Sequence, residues 1–196
     1  MLTRRTTLLA ALLIPAAAQA ADTDQATAMV QKLLTELTAV VNGPGNAASK
    51  QAALRQLVDQ NVDVEGVARF CLGRFWRTAT PPQQQAYVQE FRSFLMGNIT
   101  GKVGDYHGVT FSMGRAQARE DGVAVSTIVN RPGNAPNNVD WVVSTAGGSP
   151  KIIDVIAEGT SLRLTQRSDY AAFLGRNNNN VQALIDAMRQ QQPRAG

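Results

Sequence analysis

Residues 63–94 read DVEGVARFCLGRFWRTATPPQQQAYVQEFRSF, and the rest of the chain is organised around them. Val64, Val67, Ala68, Cys71 and Leu72 recur three and four apart, which puts them on one face of a helix, and Phe75 and Trp76 close the segment. Asp63 stands where an N-cap is needed. Thr80-Pro81-Pro82-Gln83 predicts the start of a second helix. Threonine accepts hydrogen bonds at an N-cap, proline loses nothing in a first helical turn, and Gln83 can reach back to complete a capping box. Tyr87, Val88, Phe91, Phe94, Leu95 and Ile99 form its apolar stripe. Two broad apolar faces across a short turn make either a filled core or the wall of an apolar cavity. Periodicity does not separate the two, because both use the same side chains.

Upstream, Ala26, Met29, Val30, Leu33, Leu34, Leu37, Val40 and Val41 predict a helix over 23–41, ended by Asn42-Gly43-Pro44-Gly45. A weaker helix is expected over 47–58, with Leu54, Leu57 and Val58 inward. Beyond Gly101 the apolar period falls to two and β-branched residues become frequent, the pattern of half-buried strands. Val109, Phe111 and Met113 mark one strand, Ala116 and Ala118 the next. Asp121-Gly122 signals a hairpin turn into 123–130. Strands over 139–143 and 151–156 follow, and the short connections call for an antiparallel meander. Leu162, Leu164, Tyr170, Phe173 and Leu174 predict a helix ended by Gly175. A last helix, carrying Val181, Leu184, Ile185 and Met188, follows the polar break at 177–180. The fold class is therefore α+β, helices packed around a twisted antiparallel sheet of four to five strands.

The 196-residue chain opens with Arg4 and Arg5, a short apolar run over 8–14 and Ala18-Gln19-Ala20, the plan of a cleaved export signal. Residues 1–20 are thus expected to be a leader, 21–190 one domain and 191–196 a polar tail. The apolar run is too short to span a bilayer of ~30 Å. Residues 3–8 also loosely resemble a twin-arginine signal, although Thr7 stands where that motif has an aromatic. Of the 19 basic side chains, loss of Arg4 and Arg5 leaves 17 against 15 acidic ones, so charge gives no argument for nucleic acid. Cys71 is the only cysteine, which excludes an internal disulfide, and its place on an apolar face reads as a buried structural thiol.

Catalytic chemistry is sparsely represented. His107 is the only histidine, so a two-histidine zinc site is excluded and a nucleophile–base pair would have to use His107 itself. No glycine-rich phosphate loop and no nucleophile elbow occurs. Asp154 and Glu158 read as cap or turn residues, and Arg69, Arg74 and Arg77, flanking Phe75-Trp76, as solvated helix positions, with a hold on phosphate oxygens at a cavity mouth as the alternative. No cofactor or metal is expected.

The run Val67-Ala68-Arg69-Phe70-Cys71-Leu72-Gly73-Arg74-Phe75-Trp76-Arg77, then Thr80-Pro81-Pro82-Gln83 and Phe91, resembles the MlaC family of periplasmic phospholipid carriers, also called toluene-tolerance auxiliary proteins of ABC transporters. So does Ile153-Asp154-Val155-Ile156-Ala157-Glu158-Gly159-Thr160-Ser161-Leu162, followed by Gln166-Arg167-Ser168-Asp169-Tyr170. The resemblance spans the chain beyond the leader. It departs at Asn98-Ile99, where many members carry Thr-Tyr, and at Gly97 and Gly101, which leaves cavity shape open. A hopanoid-associated branch of the family is similar.

The resemblance implies a non-enzymatic periplasmic carrier of phospholipid, serving an inner-membrane ABC transporter with an MCE-domain subunit and an outer-membrane lipoprotein–porin complex. Periodicity and resemblance together nominate Val67, Phe70, Cys71, Phe75, Trp76, Phe91, Leu95, Ile99, Tyr106, Val125, Trp141, Val155 and Leu162 as the lipid-facing wall. A periplasmic protein–protein adaptor with a filled core, a hopanoid-related carrier and a hydrolase using His107 are the alternatives.

Overall fold

The computed structural model describes residues 14–101 and 107–191. Helix α1 spans Ile14–Asn42 and α2 Ala47–Asn61. Helix α3 spans Val64–Leu72 and runs into a 3-10 turn at Gly73–Arg77, and α4 spans Pro81–Thr100. Strands β1 (Thr110–Arg119), β2 (Gly122–Asn130), β3 (Asn137–Ser144), β4 (Lys151–Ala157) and the short β5 (Thr160–Ser161) follow, then α5 (Leu162–Arg176) and α6 (Val181–Gln191). The sheet is a meander in the order β1-β2-β3-β4-β5, every neighbouring pair antiparallel.

Local chemistry sets the helix starts. Asp63 Oδ1 accepts from the Gly66 amide at 2.9 Å. At Thr80 the capping box is complete: the Thr80 amide donates to Gln83 Oε1 at 3.0 Å, and the Gln83 amide donates to Thr80 Oγ1 at 3.4 Å. Ser161 Oγ caps α5 by accepting from the Leu164 amide at 3.1 Å. Asn180 Oδ1 opens α6 by accepting from the Gln182 amide at 2.9 Å. Each device satisfies an amide that has no partner within its own helix.

Several boundaries differ from expectation, α2 for one running on to Asn61. Helix α1 starts at Ile14, upstream of 23 and across the expected cleavage point, because an alanine-rich segment continues the helix without cost in propensity. The two expected strands over 109–118 are one strand with an irregularity between Met113 and Ala116. The hairpin turn sits at Glu120-Asp121, one residue before Asp121-Gly122, since Arg119 pairs with Gly122. Glycine is required at 122 for another reason: its φ is +150°, and a Cβ there would stand 2.2 Å from the Val143 carbonyl oxygen. Finally, α5 passes Gly175 and ends at Arg176, where the Asn177 amide closes onto the Leu174 carbonyl at 3.0 Å.

Two apolar clusters fill the molecule. In one, the inner sheet face (Val123, Val125, Val143, Ile152) packs on Val30, Leu33 and Leu34 of α1 and Leu54 and Leu57 of α2. The other is helical and draws Ala68, Leu72, Tyr87, Phe91, Tyr170, Leu174 and Ile185 from α3 to α6. Among the described residues no helix is long and apolar enough to cross a membrane.

Candidate functional site

The two clusters meet where α3 begins. The Asp63 amide donates to the Ile152 carbonyl at 3.0 Å, and Val62 forms a bridge with Ile152, so the first turn of α3 is fastened to β4. Val62 and Ile99 pack against both clusters. Several large apolar side chains beside one or both clusters are only half-buried. Val67 comes from α3, Leu95 and Ile99 from the end of α4, and Trp141 and Val155 from the inner sheet face, where they are directly paired across β3 and β4. Met29 and Phe111 are also half-buried beside the sheet cluster. Both belong to apolar stripes visible in the sequence, but nothing there distinguishes them from core.

The polar group on this face is satisfied. Trp141 Nε1 donates to Thr127 Oγ1 at 3.0 Å, and that hydroxyl donates to the Val139 carbonyl at 3.0 Å. The bond fixes the indole and leaves the buried threonine with no unmet polar demand.

The other nominated residues lie elsewhere. Cys71, Phe75, Phe91 and Val125 are buried inside the two clusters, with Val125 fully enclosed. The Cys71 thiol donates to the Arg163 carbonyl at 3.5 Å. Burial, reinforced by the charge of Asp154, pushes its pKa up to about 12, so it stays a protonated thiol and not a nucleophile. Phe70 and Trp76 line an open surface cleft. Leu162 is 52 % exposed at the first position of α5. Tyr106 lies outside the described residues. Of the nominated residues, Val67 and Leu95 are thus partly buried against the helical cluster, Trp141 and Val155 against the sheet cluster, and Ile99 against both.

The carboxylates of the second sequence motif hold the fold. Asp154 is 6 % exposed; its Oδ1 accepts from the Val155 amide at 2.8 Å and the Arg163 amide at 3.1 Å, and its Oδ2 from Ser161 Oγ at 2.5 Å. The Arg163 guanidinium lies against it, Nε to Oδ2 3.4 Å, and also pairs with Asp121. Asp154 thus ties α5, part of the helical cluster, to β4 of the sheet. Glu158 accepts from the Asn138 amide at 2.6 Å from a turn with φ +48°. His107 is exposed in the turn before β1, at the rim of a 350 Å³ cleft shared with Lys50, Gln51 and Thr100.

A meander sheet backed by two helices and abutted by a second helical cluster, with an apolar seam between them, defines an α+β protein built around a hydrophobic interior. The chain belongs to the MlaC family: the family model, described as MlaC protein, matches residues 12–190. It is 27 % identical over 137 residues to the toluene tolerance protein ttg2D of Pseudomonas putida, a match covering 68 % of this chain and 63 % of that relative, under two thirds of its length. Its fold is similar to that of a phospholipid-binding protein from Ralstonia solanacearum, solved in complex with a phospholipid. There the TM-score is 0.73 at 26 % identity, covering 86 % of this chain and 97 % of the other.

Proposed function

We propose that this protein is a periplasmic lipid carrier that holds phospholipid acyl chains between the inner sheet face and the helical cluster. The observation that carries the reading is the shared fold, at a TM-score of 0.73 across 97 % of a chain that was crystallised with a phospholipid. A physical reason supports it: Val67 and Leu95 beside the helical cluster, Trp141 and Val155 beside the sheet cluster and Ile99 beside both are only partly covered. Each buried CH₂ is worth ~0.8 kcal/mol, so acyl chains parting the clusters would be retained without any specific polar contact. Release then requires the seam to open at a membrane complex, because hydrocarbon does not cross water cheaply.

On this reading residues 1–20 are an export leader, 21–190 the working domain and 191–196 a tail, and the protein performs no covalent chemistry. It shuttles lipid between an inner-membrane ABC transporter with an MCE-domain subunit and an outer-membrane lipoprotein–porin complex, maintaining outer-membrane lipid asymmetry. Denaturing mass spectrometry of protein purified from periplasm without detergent tests it. A roughly stoichiometric phospholipid is expected, and recovery of lipid-free protein would refute the carrier reading. The same extract separates phospholipid from a hopanoid.

A further inference from the structure

Arg69 on α3, Arg74 and Arg77 on the 3-10 turn and Arg167 on α5 surround one open cleft of about 480 Å³, with Phe70, Trp76, Gly66 and Gly73 completing its lining. None of the four arginines takes part in an ion pair among the described residues. The nearest acids along α3 are Asp63, whose carboxylate is engaged by the Gly66 amide, and Glu65, one turn before Arg69 and unpaired with it. Four like charges are thus gathered around one cleft, none of them in an ion pair among the described residues.

Three of the guanidiniums also rest on aromatic rings. The Arg69 Cζ lies 5.7 Å from the Trp76 ring centroid, that of Arg74 4.8 Å from Phe75, and that of Arg167 4.9 Å from Phe70. Gly73, at φ +59°, lets Arg167 lie close across the end of α3: a Cβ there would stand 3.2 Å from Arg167 Nε. Arginines resting on aromatic faces lose less freedom when they pair, and each presents a planar fork that matches a carboxylate. Arginine and tryptophan around a concave centre are the residue types that dominate protein–protein binding energy.

We propose that this cleft is the docking surface for an acidic segment of a partner protein, its carboxylates paired with Arg69, Arg74, Arg77 and Arg167 around Phe70 and Trp76. A flat anionic bilayer would meet the tips of extended side chains. Guanidiniums drawn down onto rings around a hollow fit carboxylates on a protruding segment.

The test titrates the full protein with a fluorescent peptide of glutamate interleaved with phenylalanine. The double variant Arg74→Gln/Arg77→Gln is expected to bind at least about tenfold more weakly. Arg55→Gln/Arg176→Gln, the same charge change at exposed sites elsewhere, should shift affinity by less than about twofold, since rim charges act mainly on the encounter rate. Equal losses in the two doubles would reduce the effect to net charge and overturn the proposal, as would absence of saturable peptide binding. Arg74- and Arg77-dependent pelleting with phosphatidylglycerol vesicles, without peptide binding, would overturn it in favour of a membrane. Lipid recovered from Arg74→Gln/Arg77→Gln should equal that from the parent; its loss would place the cleft in the cargo site and overturn the assignment too. If the parent carries no lipid yet the peptide dependence holds, the carrier reading fails and the docking surface stands.

Discussion

The helical cluster around Tyr87 and the seam beside it use the same kinds of side chain but pack differently. Tyr87 is completely enclosed, its hydroxyl donates to the Ala68 carbonyl at 2.9 Å, and its ring meets Tyr170 edge-on and Phe91 tilted, each with centroids 6.0 Å apart. Val67 and Leu95 flank the helical cluster, Trp141 and Val155 the sheet cluster and Ile99 both, and all five stay half-buried. A close-packed interior has no room for a guest, since every side chain already has its neighbours. An incompletely covered apolar junction gains dispersion and burial when something fills it. Side-chain type does not tell a core from a binding wall; completeness of contact does.

That contrast can be broken first where packing is complete. Phe91→Ala should cost about 3–5 kcal/mol of stability, measured by urea unfolding, because the cavity left behind lies inside an already filled cluster. A loss below about 1 kcal/mol would mean that the helical cluster is not the solid half of the molecule.

Next comes the tie between the halves. Asp154→Ala should cost about 3 kcal/mol, since it removes one of the two carboxylates on the Arg163 guanidinium, leaves the Arg163 amide without its acceptor and frees the start of α5 from β4. Hydrogen exchange should show the loss of protection concentrated at β4 and the first turn of α5. A uniform change would deny Asp154 its role as the link.

The seam is sharpened by overfilling it. Ile99→Trp should alter stability by less than about 1.5 kcal/mol while sharply lowering the lipid recovered per protein. Undiminished lipid in a folded variant would place Ile99 outside the cargo space.

The smallest effect concerns Cys71. Burial lifts its thiol from 9.0 to about 12, so the folded protein keeps a proton that the unfolded chain releases. Its contribution to stability is present below about pH 9 and is lost as pH rises toward 12. Buried Tyr87 and Tyr170 are also raised, by burial first, and act with the same sign. Cys71→Ala should flatten the decline of the urea midpoint over that window, and the native thiol should resist Ellman's reagent at neutral pH. Rapid labelling of folded protein would contradict the burial.

The sequence by itself determined what depends on a few consecutive residues: the caps at Asp63 and Thr80, the helical stripes, the change to period two beyond Gly101, and the meander implied by short connections. Those signals are legible because capping bonds and side-chain periodicity act over three or four positions. Only the tertiary structure decided that Phe91 is solid interior while Ile99 packs on both clusters, that Gly122 answers to the Val143 carbonyl and not to a turn, and that Arg167 joins three arginines some ninety residues earlier in the chain. Each of those outcomes depends on which surfaces face one another, and a stripe of Phe, Val and Leu reads the same whether its opposite face is complete or left open.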